Sequence, residues 1–94
     1  MEKVFILVQE SNCDGEILVN VIPCADLETA KAEMQREIDT LLSECGKYQG
    51  IDLNKIDRET FSLERDEMRF HIACNYDDYY ERLDIVEREI VKKG

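Results

Sequence analysis

The stretch VFILVQESNCDGEILVNVI, residues 4–22, decides the fold because it predicts a β-hairpin. Its opening apolar run favours a strand over residues 3–9, buried on both faces and central in a sheet. A turn cluster follows at 11–15, where the step Asp14-Gly15 tolerates positive φ. The second strand, 16–22, alternates two sets of side chains: Ile17, Val19 and Val21 against Leu18, Asn20 and Ile22. The chain therefore begins with two antiparallel strands.

A single long helix is predicted for residues 26–45. Asp26 is placed to cap it, and Glu28 lies in the first turn, where the helix dipole favours an acid. Apolar residues then recur at helical spacing: Leu27, Ala30, Met34, Ile38, Leu41 and Cys45. Gly46 is a natural C-terminal stop. This stripe predicts that the helix packs one face against the sheet.

A loop and a second hairpin follow the helix. Residues 46–58 predict a connecting loop with room for one helical turn, and its apolar anchors are Ile51, Leu53 and Ile56. Alternation predicts strands over 60–65 and 68–75, joined by a turn at Asp66-Glu67. One face of this hairpin is apolar and the other polar, which is typical of an antiparallel sheet covered by a helix on one side only.

The C-terminal segment, residues 79–91, permits two interpretations. Tyr79, Leu83, Val86 and Ile90 fall at helical spacing, which slightly favours a helix. Ile85, Val86, Ile90 and Val91 are β-branched, which favours a strand. The predicted class is thus α+β: an antiparallel sheet of four to five strands, two β-hairpins in ββαββ order, one long helix on one face, and a last element that is strand or helix.

Length and charge restrict the classes of function. Residues 1–94 suit a single domain, and the longest apolar run, Val4–Val8, is far below the ~20 residues that span a bilayer. Because Gln9 and Glu10 follow this run directly, it predicts a strand and no secretory signal, so we expect a cytoplasmic protein with no membrane contact. The net charge of −10 repels phosphate backbones, which disfavours direct nucleic-acid binding, and attracts basic partners.

The four cysteines follow no metal-binding or redox spacing. They are Cys13, Cys24, Cys45 and Cys74. In the cytoplasm we expect reduced thiols, with Cys45 and Cys74 as small core residues. Two disulfides are the alternative for a secreted chain.

Short motifs spread along the chain resemble those of small uncharacterised acidic proteins from bacterial genomes, phages and mobile elements. The motifs are Val4, Phe5 and Leu7; Leu27, Glu28, Ala30 and Lys31; Phe61 and Ser62; Tyr79 and Tyr80; and Val86 to Ile90. The resemblance implies that the last segment is a strand. It implies no activity.

Residues 70–84, FHIACNYDDYYERLD, contain the only histidine of the chain. His71 and Cys74 are three apart, so on a strand they point to opposite faces, and neither a zinc site nor a Cys–His catalytic pair is predicted. Residues 52–57 begin like a calcium loop, but Ile56 replaces an oxygen ligand and Asp57 replaces the required glycine. We therefore expect no catalytic residue, no metal and no cofactor.

Residues 76–81 combine aromatic contact area with negative charge, as binding surfaces for basic partners do. The candidate interaction surface is Tyr76, Asp77, Asp78, Tyr79, Tyr80 and Glu81. A solvated turn whose tyrosines cover the sheet edge is the alternative interpretation.

The sequence predicts a non-catalytic protein–protein interaction module. Its partner is another protein, of basic character by charge, or a second copy in a homodimer, bound through this surface or a sheet edge. One alternative is a phage or mobile-element inhibitor that imitates nucleic-acid charge. The other, a small enzyme or metal-binding protein, is disfavoured by the motifs above.

Overall fold

Five strands and one helix form the described parts of the chain, residues 2–44 and 46–91, in a computed structural model. They are β1 (Lys3–Cys13), β2 (Glu16–Cys24), α1 (Leu27–Glu44), β3 (Phe61–Asp66), β4 (Arg69–Cys74) and β5 (Tyr79–Glu89). All pairings are antiparallel, in the order β2-β1-β5-β4-β3. The α+β class is confirmed. The chain order is ββαβββ because the last segment adds a fifth strand.

β1 and β2 are joined by a two-residue turn. Asp14 and Gly15 have φ angles of 54° and 90°, which fit the type I′ turn that matches the twist of a hairpin. The Gly15 N–H donates to Asn12 Oδ1 at 2.9 Å. The predicted hairpin is confirmed, but residues 11–13 of the expected turn cluster belong to β1 and pair with residues 16–18 of β2.

The C-terminal segment is a strand at the centre of the sheet. β5 pairs with β1 over eleven residues, from Lys3–Glu89 to Cys13–Tyr79, and with β4 along its other edge. The slight preference for a helix is therefore wrong. A helix here would leave backbone groups of β1 and β4 without strand partners, whereas a strand, which the β-branched Ile85 and Val86 favour, pairs with both.

The helix begins at a capped turn. The Asp26 carboxylate accepts a hydrogen bond from the Thr29 N–H at 2.7 Å, and this bond lowers the pKa of Asp26. Ala30, Met34 and Ile38 are buried, which confirms the predicted stripe. The expected position of Cys45 at the helix end and in the core lies outside the described residues.

Two elements cover one face of the sheet. α1 contacts β1, β2 and β5. The segment after the helix packs on β3 through Tyr48, which is 1% exposed, its ring centroid 6.0 Å from that of Phe61. The predicted anchors pack against the core as well: Ile51, Leu53 and Ile56. Tyr48 is a further anchor that alternation does not single out. The buried strand residues on this face include Leu7, Phe70, Ile72, Leu83 and Ile85.

Two leucines of the first hairpin provide a matched test of this packing. Leu7 and Leu18 lie on the same face, but Leu7 is 0% and Leu18 64% exposed. We predict that Leu7→Ala lowers the free energy of unfolding by about 2–5 kcal/mol, because it removes buried methyl groups and leaves a cavity. Leu18→Ala should change it by no more than about 0.5 kcal/mol. Urea denaturation measures both, and equal effects would contradict the described packing.

Candidate functional site

The predicted interaction surface is divided between a turn and a strand. Residues 75–78 form the turn from β4 to β5, and Tyr79 is the first residue of β5. Because strand side chains alternate, Tyr79 and Glu81 lie on the face that carries the core, here termed the covered face. Tyr80 lies on the other, open face. The structure therefore does not bring all six side chains onto one surface.

Tyr79 is held against a lysine on the covered face. Lys47 Nζ lies 4.6 Å from the centroid of the Tyr79 ring and forms a hydrogen-bonded ion pair with Asp77. That hydrogen bond raises the pKa of Lys47. Electrostatic interaction with its cross-strand partner Cys13 raises the pKa of Tyr79. A protonated lysine and a neutral phenol are suited to packing and poorly suited to act as nucleophile or base.

Tyr80 is engaged in a polar cluster on the open face. Its hydroxyl donates to Glu10 Oε2 at 2.6 Å, which raises the pKa of Tyr80. The guanidinium of Arg82 lies 4.6 Å from the ring centroid, and Arg82 Nη1 is 3.8 Å from Glu10 Oε2. Of the three tyrosines in the predicted surface, Tyr76 alone is largely exposed, at 75%.

His71 also belongs to the open face. Its Nε2 lies 2.9 Å from both carboxylate oxygens of Asp84, and Arg69 Nε is 3.8 Å from Asp84 Oδ1. Cys74 is buried on the covered face, so the predicted separation of His71 from Cys74 is confirmed. Within residues 2–44 and 46–91, no group of three or more His, Cys, Asp or Glu side chains is arranged to hold a metal ion.

The open face also carries an apolar region, which we term the aliphatic surface. Register and alternation place seven side chains there: Val4, Ile6, Val8, Ile17, Val19, Val21 and Val86. Ile17, Val19 and Val21 are 56%, 61% and 54% exposed. A groove of about 730 Å³ adjoins this surface, between β5 and the β3–β4 turn, with Val8 and Val86 in its lining. Contiguous exposed apolar side chains of this kind mark interaction sites.

The prediction that the first strand is buried on both faces is wrong, because one of its faces contributes to the aliphatic surface. Val4, Ile6 and Val8 are only half-buried, because α1 and the segment after it both lie on the covered face. One signal in the sequence does point to this surface. Residues 17–25 are the longest run without a charged side chain, and their aliphatic residues fall on both sides of the strand.

Glu81 lies in a groove between the sheet and the helix. Its carboxylate accepts a hydrogen bond from Ser11 Oγ at 2.5 Å, and Glu37 of α1 lines the same groove of about 250 Å³. Burial raises the pKa of Glu81 and Glu37 adds to this effect, while the hydrogen bond from Ser11 opposes it. Ionisation of Glu81 therefore costs more free energy in the folded chain than in the unfolded chain.

Comparison of the chain with protein-family models, curated proteins and solved structures found no match. No helix among the described residues is long and apolar enough to cross a membrane.

The position of Glu81 predicts a pH-dependent effect of Glu81→Gln. A raised folded-state pKa means that the stabilising contribution of protonated Glu81 is present below the ordinary value of 4.5 and is lost as the pH rises through the folded-state pKa. Glu81→Gln should therefore raise the free energy of unfolding at pH 7 and change it much less at pH 3.5. Urea denaturation at both pH values measures this.

Glu16→Gln is the matched control, because Glu16 is exposed and its replacement lowers the net negative charge equally. An equal gain for both variants at pH 7 would attribute the effect to net charge instead of to the groove.

Proposed function

We propose that this chain is a non-catalytic protein–protein interaction module that binds through its aliphatic surface. The observation that carries the proposal is the exposure of Ile17, Val19 and Val21, each more than half accessible on one strand. These side chains lie beside the polar cluster of Glu10, Tyr80 and Arg82. An apolar centre with a polar rim is the usual anatomy of a protein interface.

The energetic scale shows what such a partner has to provide. Full burial of a valine or isoleucine side chain contributes about 1.5–3 kcal/mol, so burying the exposed half of three contributes roughly 2–5 kcal/mol. Association costs about 4–15 kcal/mol in lost freedom of motion. Apolar contact at these three positions is therefore insufficient alone, and a stable complex needs the rest of the surface or backbone hydrogen bonds as well.

The β4–β5 turn, which carries part of the predicted interaction surface, lies at the same end of the sheet as Ile17 and the β1–β2 turn. The Asp14 N–H donates to the Asp78 carbonyl at 3.0 Å, which joins the β1–β2 turn to the β4–β5 turn. Asp14, Tyr76 and Asp78 line one shallow depression there, close in sequence to Ile17. Tyr76 and these acids thus form an acidic margin of the interface, suited to basic groups on a partner.

Three of the ionisable groups with shifted pKa values, Cys24, Lys47 and Tyr80, are not activated for catalysis. Burial raises the pKa of the Cys24 thiol, and the pKa values of Lys47 and Tyr80 are raised by their hydrogen bonds. Catalytic nucleophiles and bases require shifts towards neutrality instead. We therefore infer a module that binds the surface of another protein.

We predict that Val19→Lys lowers recovery of a bound partner from bacterial lysate at least about tenfold, because it places a charge in the apolar centre. Lysine is well tolerated on edge strands, so the fold should be retained. Ala32→Lys is the control, since it adds the same charge at an exposed helix position. Affinity capture with quantitative mass spectrometry measures recovery. Recovery by Tyr76→Ser, measured in the same way, tests the contribution of the acidic margin.

Recovery of the same partner protein in equal amounts by wild type and Val19→Lys would contradict the proposal. The proteins recovered in that case could also be nucleic-acid-binding proteins whose recovery falls steeply with salt. Imitation of nucleic-acid charge would then become the better explanation.

A further inference from the structure

We propose that the partner is a second copy of this chain, and that two β2 strands pair antiparallel so that two sheets become one. This inference rests on the proposed function and identifies the partner that binds there. It starts from the position of β2, which is the last strand of the sheet and pairs with β1 along one edge only.

The hairpin geometry shows which residues direct backbone groups towards the open edge. In a hairpin with a two-residue turn, the residues that flank the turn, Cys13 and Glu16, form a hydrogen-bonded pair, and such pairs then alternate with non-hydrogen-bonded ones. Leu18, Asn20 and Ile22 therefore bond to β1. Ile17, Val19 and Val21 direct their N–H and C=O groups outwards, and these are also the exposed residues of the open face.

Pro23 marks the end of the available edge. It lies at an outward position opposite Ile6, so its missing N–H leaves the pairing with β1 intact. Beyond Val21 the edge therefore offers no further donor until the strand ends at Cys24. The part available to a partner strand is limited to residues 17–21.

The two edges of the sheet differ in their protection. β3, the opposite edge, carries Glu64, Arg65 and Asp66 within six residues. Charged side chains on an edge strand prevent pairing with another chain. Residues 17–21 of β2 contain no charged side chain and no proline. This edge is exposed, extended and apolar, and thus suited to strand pairing.

The outward residues match a second copy of themselves. With Val19 opposite Val19 of the second copy, Ile17 lies opposite Val21, and each of the three donates one backbone hydrogen bond and accepts one. Pro23 then lies opposite Gly15 of the second copy, outside the bonded region. The side chains of Ile17, Val19 and Val21 from both copies form one continuous aliphatic row across the joined open faces.

The absence of local charge permits a second copy at this edge. Each chain carries −10, so two copies repel each other at long range. Residues 17–25 carry no charge, so their pairing brings no like charges into contact. Within residues 17–25 a basic partner would find no acid, because the acidic margin lies at the hairpin turn, outside the paired residues. Self-pairing should consequently strengthen with salt, whereas acid–base recognition should weaken.

The test is the oligomeric state of the full chain by sedimentation equilibrium, in reducing buffer because Cys13 is exposed. We expect a reversible dimer whose dissociation constant falls severalfold between about 0.05 and 0.5 M salt. Val19→Pro removes the outward N–H, which makes no hydrogen bond to β1, and should abolish the dimer. Val19→Thr has a similar shape and keeps the N–H, and should retain it within about threefold.

Amide hydrogen exchange of the wild-type chain provides a readout that does not depend on the folding of a variant. Exchange at Ile17, Val19 and Val21 should slow at least about tenfold as the protein concentration is raised through the dimer range. Asn20, already bonded to β1, should change much less.

Three results would overturn the inference: a monomer at all concentrations, a dimer that survives in folded Val19→Pro, or a dimer without concentration-dependent protection of Ile17, Val19 and Val21. A monomer whose partner capture is still lost in Val19→Lys would overturn only self-pairing and leave the interaction module in place. A monomer whose capture is unaffected by Val19→Lys would overturn both.

Discussion

The antiparallel pairing of β1 with β5 over eleven residues is the constraint on which the rest of the structure depends. It joins the first and last segments of the described chain and makes β5 the central strand. Once β5 occupies one edge of β1, β2 fills the other and becomes a terminal strand, while β4 and β3 extend the sheet on the far side of β5. The exposure of β2 and the placement of Tyr79 and Tyr80 within the sheet both follow from this single ladder.

The two faces of the sheet have different roles because all covering elements lie on one of them. α1 and the segment around Tyr48 bury Leu7, Phe70 and Leu83 on the covered face. On the open face, Asp84 binds His71 and Glu10 binds Tyr80, so cross-strand polar contacts occupy one part, and aliphatic side chains occupy the part nearest β2. The same arrangement that stabilises the fold thus leaves an apolar margin at an unprotected edge.

Much of the fold could be predicted from local pattern. Asp14-Gly15 marks the hairpin turn, the stripe through Ala30, Met34 and Ile38 marks the helix, and alternation in β4 separates His71 from Cys74. The site was less predictable. Tyr76 to Glu81 have the composition of a binding surface, yet they are split between a turn and two faces of β5. Ile17, Val19 and Val21 have the composition of a core, yet they are exposed.

The sequence by itself determined four of the five described strands, the single helix and the position of the first hairpin turn, since these depend on the conformational preferences of neighbouring residues and on hydrophobic periodicity. Only the tertiary structure decided that residues 79–89 form a strand, that β2 is an edge strand and that the open face exposes the aliphatic side chains of β2. Strand pairing and coverage depend on contacts between segments far apart in the chain, such as Lys3 with Glu89. An aliphatic strand has the same pattern whether it is central or terminal, and only the positions of its neighbours decide which.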